Sequence, residues 1–294
     1  MYLDLLEIVK CPKCNGKFKI NNITKEEDNE ILDGEIFCNC GEKYSIKDGV
    51  LDFNSKEQES MNQWSESYKE LNYDELDKKI EENTDVIISD LNNKLKKYII
   101  DDLNCSMPEV VLDIASGRGM LARYMAANIN YNPTIILTDL SFEVLKYDRI
   151  KLKNTNSSLK VNFIACDCLN LPLKDKTIDR CVSFFGICNM IGIQLEGIKE
   201  CKRVLKQSGK LINSAMIEED NENIKSKIND ALKLCNLDSI GEMVFEKDVY
   251  NIHKNGGFDN VKLVTIGEGI CNENKFDLIP LINEWYAVIA IEAK

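Results

Sequence analysis

A doubly wound α/β domain preceded by a small β-rich module is the fold class that this 294-residue sequence predicts, and three observations carry it. From Val110 onward, short apolar runs alternate with helix-like stretches, the rhythm of strand, crossover helix and strand. Successive runs end in carboxylates, at Asp113, Asp139 and Asp167, and the first of them turns through Gly117 and Gly119. Ahead of these, four cysteines fall in two close pairs, Cys11 with Cys14 and Cys38 with Cys40. The chain is long enough for one large unit and a small accessory one, and the expected division is 1–54, 55–104 and 105–294.

In the first of these, the residues between the cysteine pairs read as a β-hairpin: KFKI, a polar turn rich in Asn and Asp, then GEIFCNC. Two knuckles at the ends of a hairpin place four thiolates in a tetrahedron, the arrangement zinc prefers in structural sites. Cys11, Cys14, Cys38 and Cys40 are therefore the expected ligands of a structural zinc. The second knuckle, Cys38-Asn39-Cys40, is one residue shorter than the usual spacing, which puts the strain on Cys38 or Cys40. The twelve cysteines come with no secretory signal, since MYLDLLEIVK is acidic, and with no apolar run long enough to span a bilayer. Reduced thiols, a metal site and a cytoplasmic location are the corresponding expectations.

Residues 55–104 turn polar, with helical periodicity in MNQWSESYKELNYDELDKKI and in VIISDLNNKLKKYIIDDL. Trp64, Tyr68 and Leu71 share a helix face. Ordinary helix packing is the first reading of such a stripe, and a lid formed by Trp64, Tyr68 and Tyr73 is the second.

The third division opens with VVLDIASGRG. Glycines at 117 and 119 let backbone approach a ligand without a Cβ in the way, and the next helix, MLARYMAANI, begins with free N–H groups that favour an electron-rich group. A nucleotide-like cofactor is the natural occupant. Gly117-x-Gly119-x-x-Ala122 alone also fits a nicotinamide dinucleotide. TIILTD then ends in Asp139, twenty residues beyond Gly119, where a second-strand carboxylate meets ribose hydroxyls. KVNFIACD ends in Asp167, Ile178–Phe185 forms a fourth strand and KLINSAMI a fifth.

Taken in this order, the segments from about Trp64 to the end resemble class I S-adenosylmethionine-dependent methyltransferases, in the small-molecule branch that includes the quinone-ring C-methyltransferases. The resemblance implies a Rossmann-like seven-stranded domain. It places Asp113 near the methionine amino group, with Ala115, Ser116, Gly117 and Gly119 forming the cofactor turn. It likewise implies Asp139 and Leu140 at the ribose and adenine, and Asp167 facing the adenine amine, with Cys168 and Phe184 beside the cofactor. IKECKRVLKQSGKLI matches the family's "RVLKPGG" segment, with Gln207-Ser208-Gly209 in place of Pro-Gly-Gly, and NGGFDNVKLVTI followed by EWYAVIAIEAK resembles its closing antiparallel pair. Ala115 stands where the family has its usual first glycine, and alanine has φ limits that glycine lacks. LLEIVKCPKCNGKFKI and CGEKYSIKDGVLDF, in turn, resemble the zinc ribbons that activate methyltransferases or are fused ahead of them, which implies a protein-binding role for this unit as one option.

Methyl transfer is an in-line displacement that chiefly demands alignment, so no residue is assigned as catalytic. The acceptor is expected beyond the fourth strand, at SFFGICNMIGIQ. This segment lacks the Asn/Asp-Pro-Pro-Tyr pattern of many amino-group methyltransferases, and its Phe184, Phe185, Ile187 and Met190 point to a small apolar or aromatic acceptor at O or C, with Asn189 to orient it. His253, the one histidine, reads as surface or packing. A net charge of −12 disfavours a nucleic-acid surface. Three alternatives stand beside the small-molecule reading: a ribosomal- or transfer-RNA methyltransferase, because of the fused ribbon; an arsenite methyltransferase, because Cys166, Cys168, Cys181 and Cys188 gather around the third and fourth strands; and a non-catalytic regulator that binds protein.

Overall fold

The first four strands, β1 (Phe18–Glu27), β2 (Glu30–Cys38), β3 (Lys43–Lys47) and β4 (Val50–Asp52), form an antiparallel meander. This computed structural model describes residues 1–54, 73–235, 238–239, 241–272 and 281–294. The hairpin expected between the cysteine pairs is β1–β2. It closes at Asp28 and Asn29, with φ of 50° and 63°, the left-handed pair that a two-residue hairpin turn demands. Shifts in register at Ile20/Asn22, Ile23/Lys25 and Lys25/Glu26 mark bulges in β1.

Two helices come next, α1 (Tyr73–Asn83) and α2 (Val86–Ser106), the second capped by Asp85, whose side chain accepts from Ile87 N–H. Trp64, Tyr68 and Leu71 lie outside the described residues. The chain then alternates: β5 (Val110–Ile114), α3 (Met120–Asn128), β6 (Thr134–Asp139), α4 (Phe142–Thr155), β7 (Val161–Ala165), β8 (Ile178–Ser183), α5 (Gln194–Val204), β9 (Leu205–Glu218), α6 (Glu222–Cys235), α7 (Glu246–Asn255), β10 (Val261–Ile270) and β11 (Trp285–Ala293).

Within this series the strand order is β7-β6-β5-β8-β9-β11-β10, parallel through β9, with β11 antiparallel to both of its neighbours. This is a Rossmann-like, doubly wound, seven-stranded arrangement with the expected closing antiparallel pair. The sheet continues past β7. β4 pairs with β7 in parallel, Val50↔Phe163 through Asp52↔Ala165, so the N-terminal meander and the α/β strands form one eleven-stranded sheet.

Strand alternation divides the core into two faces. Val111, Ile135, Leu137 and Phe163 pack under Leu95 and Ile99 of α2, Leu121 and Met125 of α3, and Leu145 and Leu152 of α4. Leu112, Ile114, Ile136 and Ile164 pack on the other face with Ile198 and Cys201 of α5 and Val249 and Ile252 of α7. Phe18, Ile36 and Cys38 of the meander belong to that second cluster.

A buried carboxylate fastens the meander to α4. Glu30 is 1% exposed and accepts from Arg149 Nε at 2.8 Å and Nη2 at 3.0 Å, with Lys153 Nζ 3.0 Å away. Gly49, at φ +82°, lies alongside, and a Cβ there would fall 2.4 Å from Arg149 Nε. Burial opposes ionisation of Glu30, yet Arg149, the Met1 amino group 3.6 Å away and Lys153 together more than offset it and hold its pKa below the usual carboxylate range. Glu30→Gln leaves those cations without a counter-charge and is expected to cost about 2–3 kcal/mol in urea unfolding at pH 7. A carboxylate with a depressed folded pKa stabilises above its unfolded pKa and ceases to do so as pH falls through the folded value. The gap between variant and wild type therefore closes in acid, below about pH 4.

Candidate functional site

The parallel strands deliver their carboxyl ends to one side of the sheet, where such folds leave a crevice. Asp113 ends the central strand. It is 1% exposed, and neither carboxylate oxygen has a hydrogen-bond partner among the described residues. Burial, with Asp139 nearby, pushes its pKa well above the carboxylate range.

The turn after it is wound left-handed at every second residue: φ is 51° at Ala115, 54° at Gly117 and 62° at Gly119. Alanine thus adopts the backbone that a glycine would take without strain. Ser116 N–H donates to Thr138 O at 3.0 Å, and its hydroxyl is buried with no partner among the described residues. Asp139, at the end of β6, accepts from Gly117 N–H at 2.9 Å through one oxygen and from Ser141 N–H at 2.9 Å through the other. This carboxylate therefore braces the glycine turn.

Next to it, the Leu140 carbonyl accepts from Asn54 Nδ2 at 2.7 Å. Beyond β7, Asp167 accepts from Leu169 N–H at 2.9 Å and closes a short helical turn, while the Cys168 thiol, pushed up to about 12 by burial, lies 3.4 Å from Met190 Sδ. At the end of β8, Phe184 and Phe185 meet edge to face, with centroids 4.9 Å apart. Phe185 has φ 57°, an unusual backbone for a bulky residue, and is held there by its N–H donating to Ser214 Oγ at 2.8 Å. Gly186 brings the β5 and β8 loops together, since a Cβ there would stand 2.6 Å from Ala115 O. The residues singled out from the sequence thus sit at the ends of four adjacent strands.

Several groups escape sequence reasoning. Asp148 of α4 is fully buried, and its carboxylate lies flat against Gly119, where a Cβ would be 2.6 Å from both oxygens. Burial raises its pKa well above the usual range. The available signal is its place between Leu145 and Leu152 on the apolar face of α4. Asp77 of α1 bridges Arg118, inside the glycine turn, and Arg123 of α3, both at 2.7 Å. His253 is buried: Nδ1 lies 2.7 Å from Val249 O and Nε2 lies 3.2 Å from Asn213 Nδ2, which makes the ring a neutral Nδ1–H tautomer, and burial pushes its pKa down to about 4.

The amino-terminal cysteines converge. All four sulfurs lie within 4.8 Å of one another, with Cys11 and Cys40 at 3.7 Å and Cys14 and Cys38 at 3.3 Å. The Glu42 backbone amide and the neighbouring thiols lower Cys40 to about 7, while burial raises Cys11. No second group of three such ligands occurs among the described residues, so Cys166, Cys168, Cys181 and Cys188 do not form one. A cavity of about 690 Å³ opens between the end of β9, α7 and Trp285; its lining mixes carboxylates, among them Glu218 and Glu246, with Ile217, Tyr250, Leu263 and Trp285.

Residues 61–251 match the family model described as the ubiE/COQ5 methyltransferase family. The chain belongs to that family. A demethylmenaquinone methyltransferase of Porphyromonas gingivalis is 33% identical over 105 residues, covering 36% of this chain and 42% of that protein. The ubiquinone/menaquinone biosynthesis C-methyltransferase UbiE of Pseudomonas aeruginosa is 29% identical over 160 residues, covering 54% of this chain and 62% of that protein. The chain spans about half the length of the curated relatives it matches. The YcgJ protein of Bacillus subtilis shares the fold, with a TM-score of 0.51 and 14% identity over 68% of this chain and 97% of that one. Among the described residues, no helix is long and apolar enough to cross a membrane.

Two substitutions probe the ends of these strands. Asp113 binds protons more readily folded than unfolded, so its contribution to stability falls as pH rises above about 4. Asp113→Asn is expected to flatten that part of the stability–pH curve and to raise the melting temperature of the ligand-free protein at pH 7. Ala115→Gly removes left-handed strain and is expected to stabilise by up to about 1 kcal/mol in urea unfolding, the gain being trimmed by the extra freedom of glycine in the unfolded chain.

Proposed function

We propose that this chain is an S-adenosylmethionine-dependent methyltransferase that methylates carbon in a small aromatic acceptor of the quinol type. The Asp113 carboxylate carries the proposal: a buried acid with both oxygens unpartnered, at the end of the central strand beside the glycine turn, is costly unless a cationic donor occupies the crevice.

The residues fit the cofactor. Asp113 offers acceptors to an ammonium, Asp139 at the end of β6 is the carboxylate we assign to the ribose hydroxyls, and Asp167 beyond β7 the one we assign to the adenine amine. Ala115, Ser116, Gly117 and Gly119 supply the close-approaching backbone, and Leu140, Cys168 and Phe184 the less polar surroundings. Bound there, S-adenosylmethionine supplies an electrophilic methyl group on a sulfonium. The chain's own part is to hold the acceptor in line and keep water away. Phe184 and Phe185 offer ring faces for a planar acceptor. His253 is sealed from the crevice by its own hydrogen bonds and serves no proton transfer there.

Methylation at carbon is favoured over oxygen by the names of the similar proteins, a demethylmenaquinone methyltransferase and a ubiquinone/menaquinone C-methyltransferase. The arsenite reading loses its ligand set, because the inner cysteines do not converge and burial pushes Cys168 and Cys188 up to about 12. The amino-terminal thiols fit a structural zinc, whose four sulfurs stand about 3.8 Å apart when each bond is about 2.3 Å.

Calorimetric titration of the zinc-loaded protein is expected to show one saturable site for S-adenosylmethionine and none for NADH, with Asp113→Asn binding at least about ten-fold more weakly. Methyl-labelled cofactor with a short-chain demethylated hydroquinone should place label on a ring carbon by mass spectrometry. Absence of cofactor binding removes the enzymatic reading, and label on oxygen alone removes the choice of carbon.

A further inference from the structure

We infer that Asn54, a residue outside the family-matched segment, positions the adenosine end of the cofactor and couples the cysteine-bearing unit to cofactor binding. This rests on the methyltransferase reading above. The family match begins at residue 61, so nothing in it assigns a role to β4 or to the two residues that leave that strand.

β4 runs parallel to β7, and its carboxyl end therefore arrives on the same side of the sheet as Asp139 and Asp167. Pairing persists one residue beyond the strand, where Phe53 N–H donates to Ala165 O at 2.8 Å. The Asn54 side chain then reaches past β7 to the end of β6, where Nδ2 donates to the Leu140 carbonyl at 2.7 Å. Its own N–H donates to Asp52 Oδ1 at 3.0 Å, which fixes the turn. Asn54 Oδ1 is buried and has no hydrogen-bond partner among the described residues. A buried amide oxygen without a donor is costly, and adenosine carries donors of the right kind, an exocyclic amine and two ribose hydroxyls. The residue preceding Leu140, Asp139, is bonded to Gly117 N–H. Asn54, Leu140, Asp139 and Gly117 thus form one run of covalent and hydrogen-bonded links from the N-terminal unit to the cofactor turn.

The other end of this run reaches the thiols. Phe53 packs on Tyr44, with centroids 4.6 Å apart, and on Phe18 at 5.7 Å. Tyr44 and Phe53 both pack against the buried cluster that contains Cys11, Phe18 and Cys38. A small cysteine unit depends on metal for its order. Metal in the cluster consequently fixes Tyr44, Phe53 and the end of β4, and by reciprocity bound cofactor tightens metal. An asparagine needed only to close β4 would leave cofactor affinity untouched.

The test is calorimetric titration of S-adenosylhomocysteine into zinc-loaded, full-length wild type, Asn54→Ala and Asn54→Asp, with thermal unfolding of each. Zinc titration of chelator-stripped protein, with and without saturating S-adenosylhomocysteine, completes it. Expected are an affinity about ten-fold lower for Asn54→Ala, an intermediate loss for Asn54→Asp, which keeps an acceptor but loses the donor to Leu140, and melting temperatures within about 3 °C of wild type. Zinc should bind more tightly with the ligand present in wild type, and that gain should shrink in Asn54→Asp. If Asn54→Ala fails to fold, Asn54→Asp decides on the same criterion. Wild-type affinity in the folded variants, or zinc affinity indifferent to ligand, overturns the inference while the methyltransferase reading stands. Failure of wild type to bind S-adenosylhomocysteine at all overturns that reading first.

Discussion

A buried strand needs hydrogen-bond partners on both of its edges, and β7 is where this requirement weighs most. Every residue from Val161 to Ala165 is buried. β6 satisfies one edge, and the three residues of β4 satisfy the other. The arrangement of the N-terminal fifty residues depends on that contact. Val9 bridges Leu173, Lys10 N–H donates to Pro172 O, and Lys174 N–H returns to Ile8 O, so the segment just before Cys11 is laced to the chain leaving β7. Glu30 locks the opposite end of the meander onto α4. The cysteine cluster is thereby held by the same body that carries the crevice.

Much of this is legible in the residues. The runs ending at Asp113, Asp139 and Asp167 are apolar because parallel strands are covered on both faces, and a carboxylate at the end of each marks where the strand leaves the core. The helix MLARYMAANI emerges from the same reading of the residues, and the closing antiparallel pair from the family resemblance. The pairing of β4 with β7 is not legible: Val50-Leu51-Asp52 is too short to declare a strand partner, and the residues it meets are far along the chain. Asp148 and Asp77 are hidden for a different reason. Both are acidic residues on helices, and only packing shows that one lies under Gly119 and the other between two arginines. The left-handed backbone of Phe185 has no sequence signal, because phenylalanine is not a residue that advertises such a turn.

The crevice is also stiffened from beneath. Ser183 Oγ donates to Ile114 O and accepts from Ile187 N–H, Ser214 Oγ donates to Ser183 O, and Asn213 joins Ser214 to His253 of α7. Buried polar groups satisfied in this way specify one arrangement of a core. Here they tie the ends of β5, β8 and β9 to a helix on the far side of the sheet, which is how a strained residue such as Phe185 is kept in place at the lip of the crevice.

Adding four strands beyond β7 also changes what the sheet presents to other molecules. Had the sheet stopped at β7, its free border would be an apolar strand with unpaired amides and carbonyls, a template for pairing with another chain. The border is instead β1, whose exposed Lys19, Lys25, Glu26 and Glu27 and three register shifts make it charged and irregular. Bulges and lysines are the devices by which proteins keep such borders from joining. The meander that carries the thiols therefore doubles as a guard against strand-to-strand aggregation.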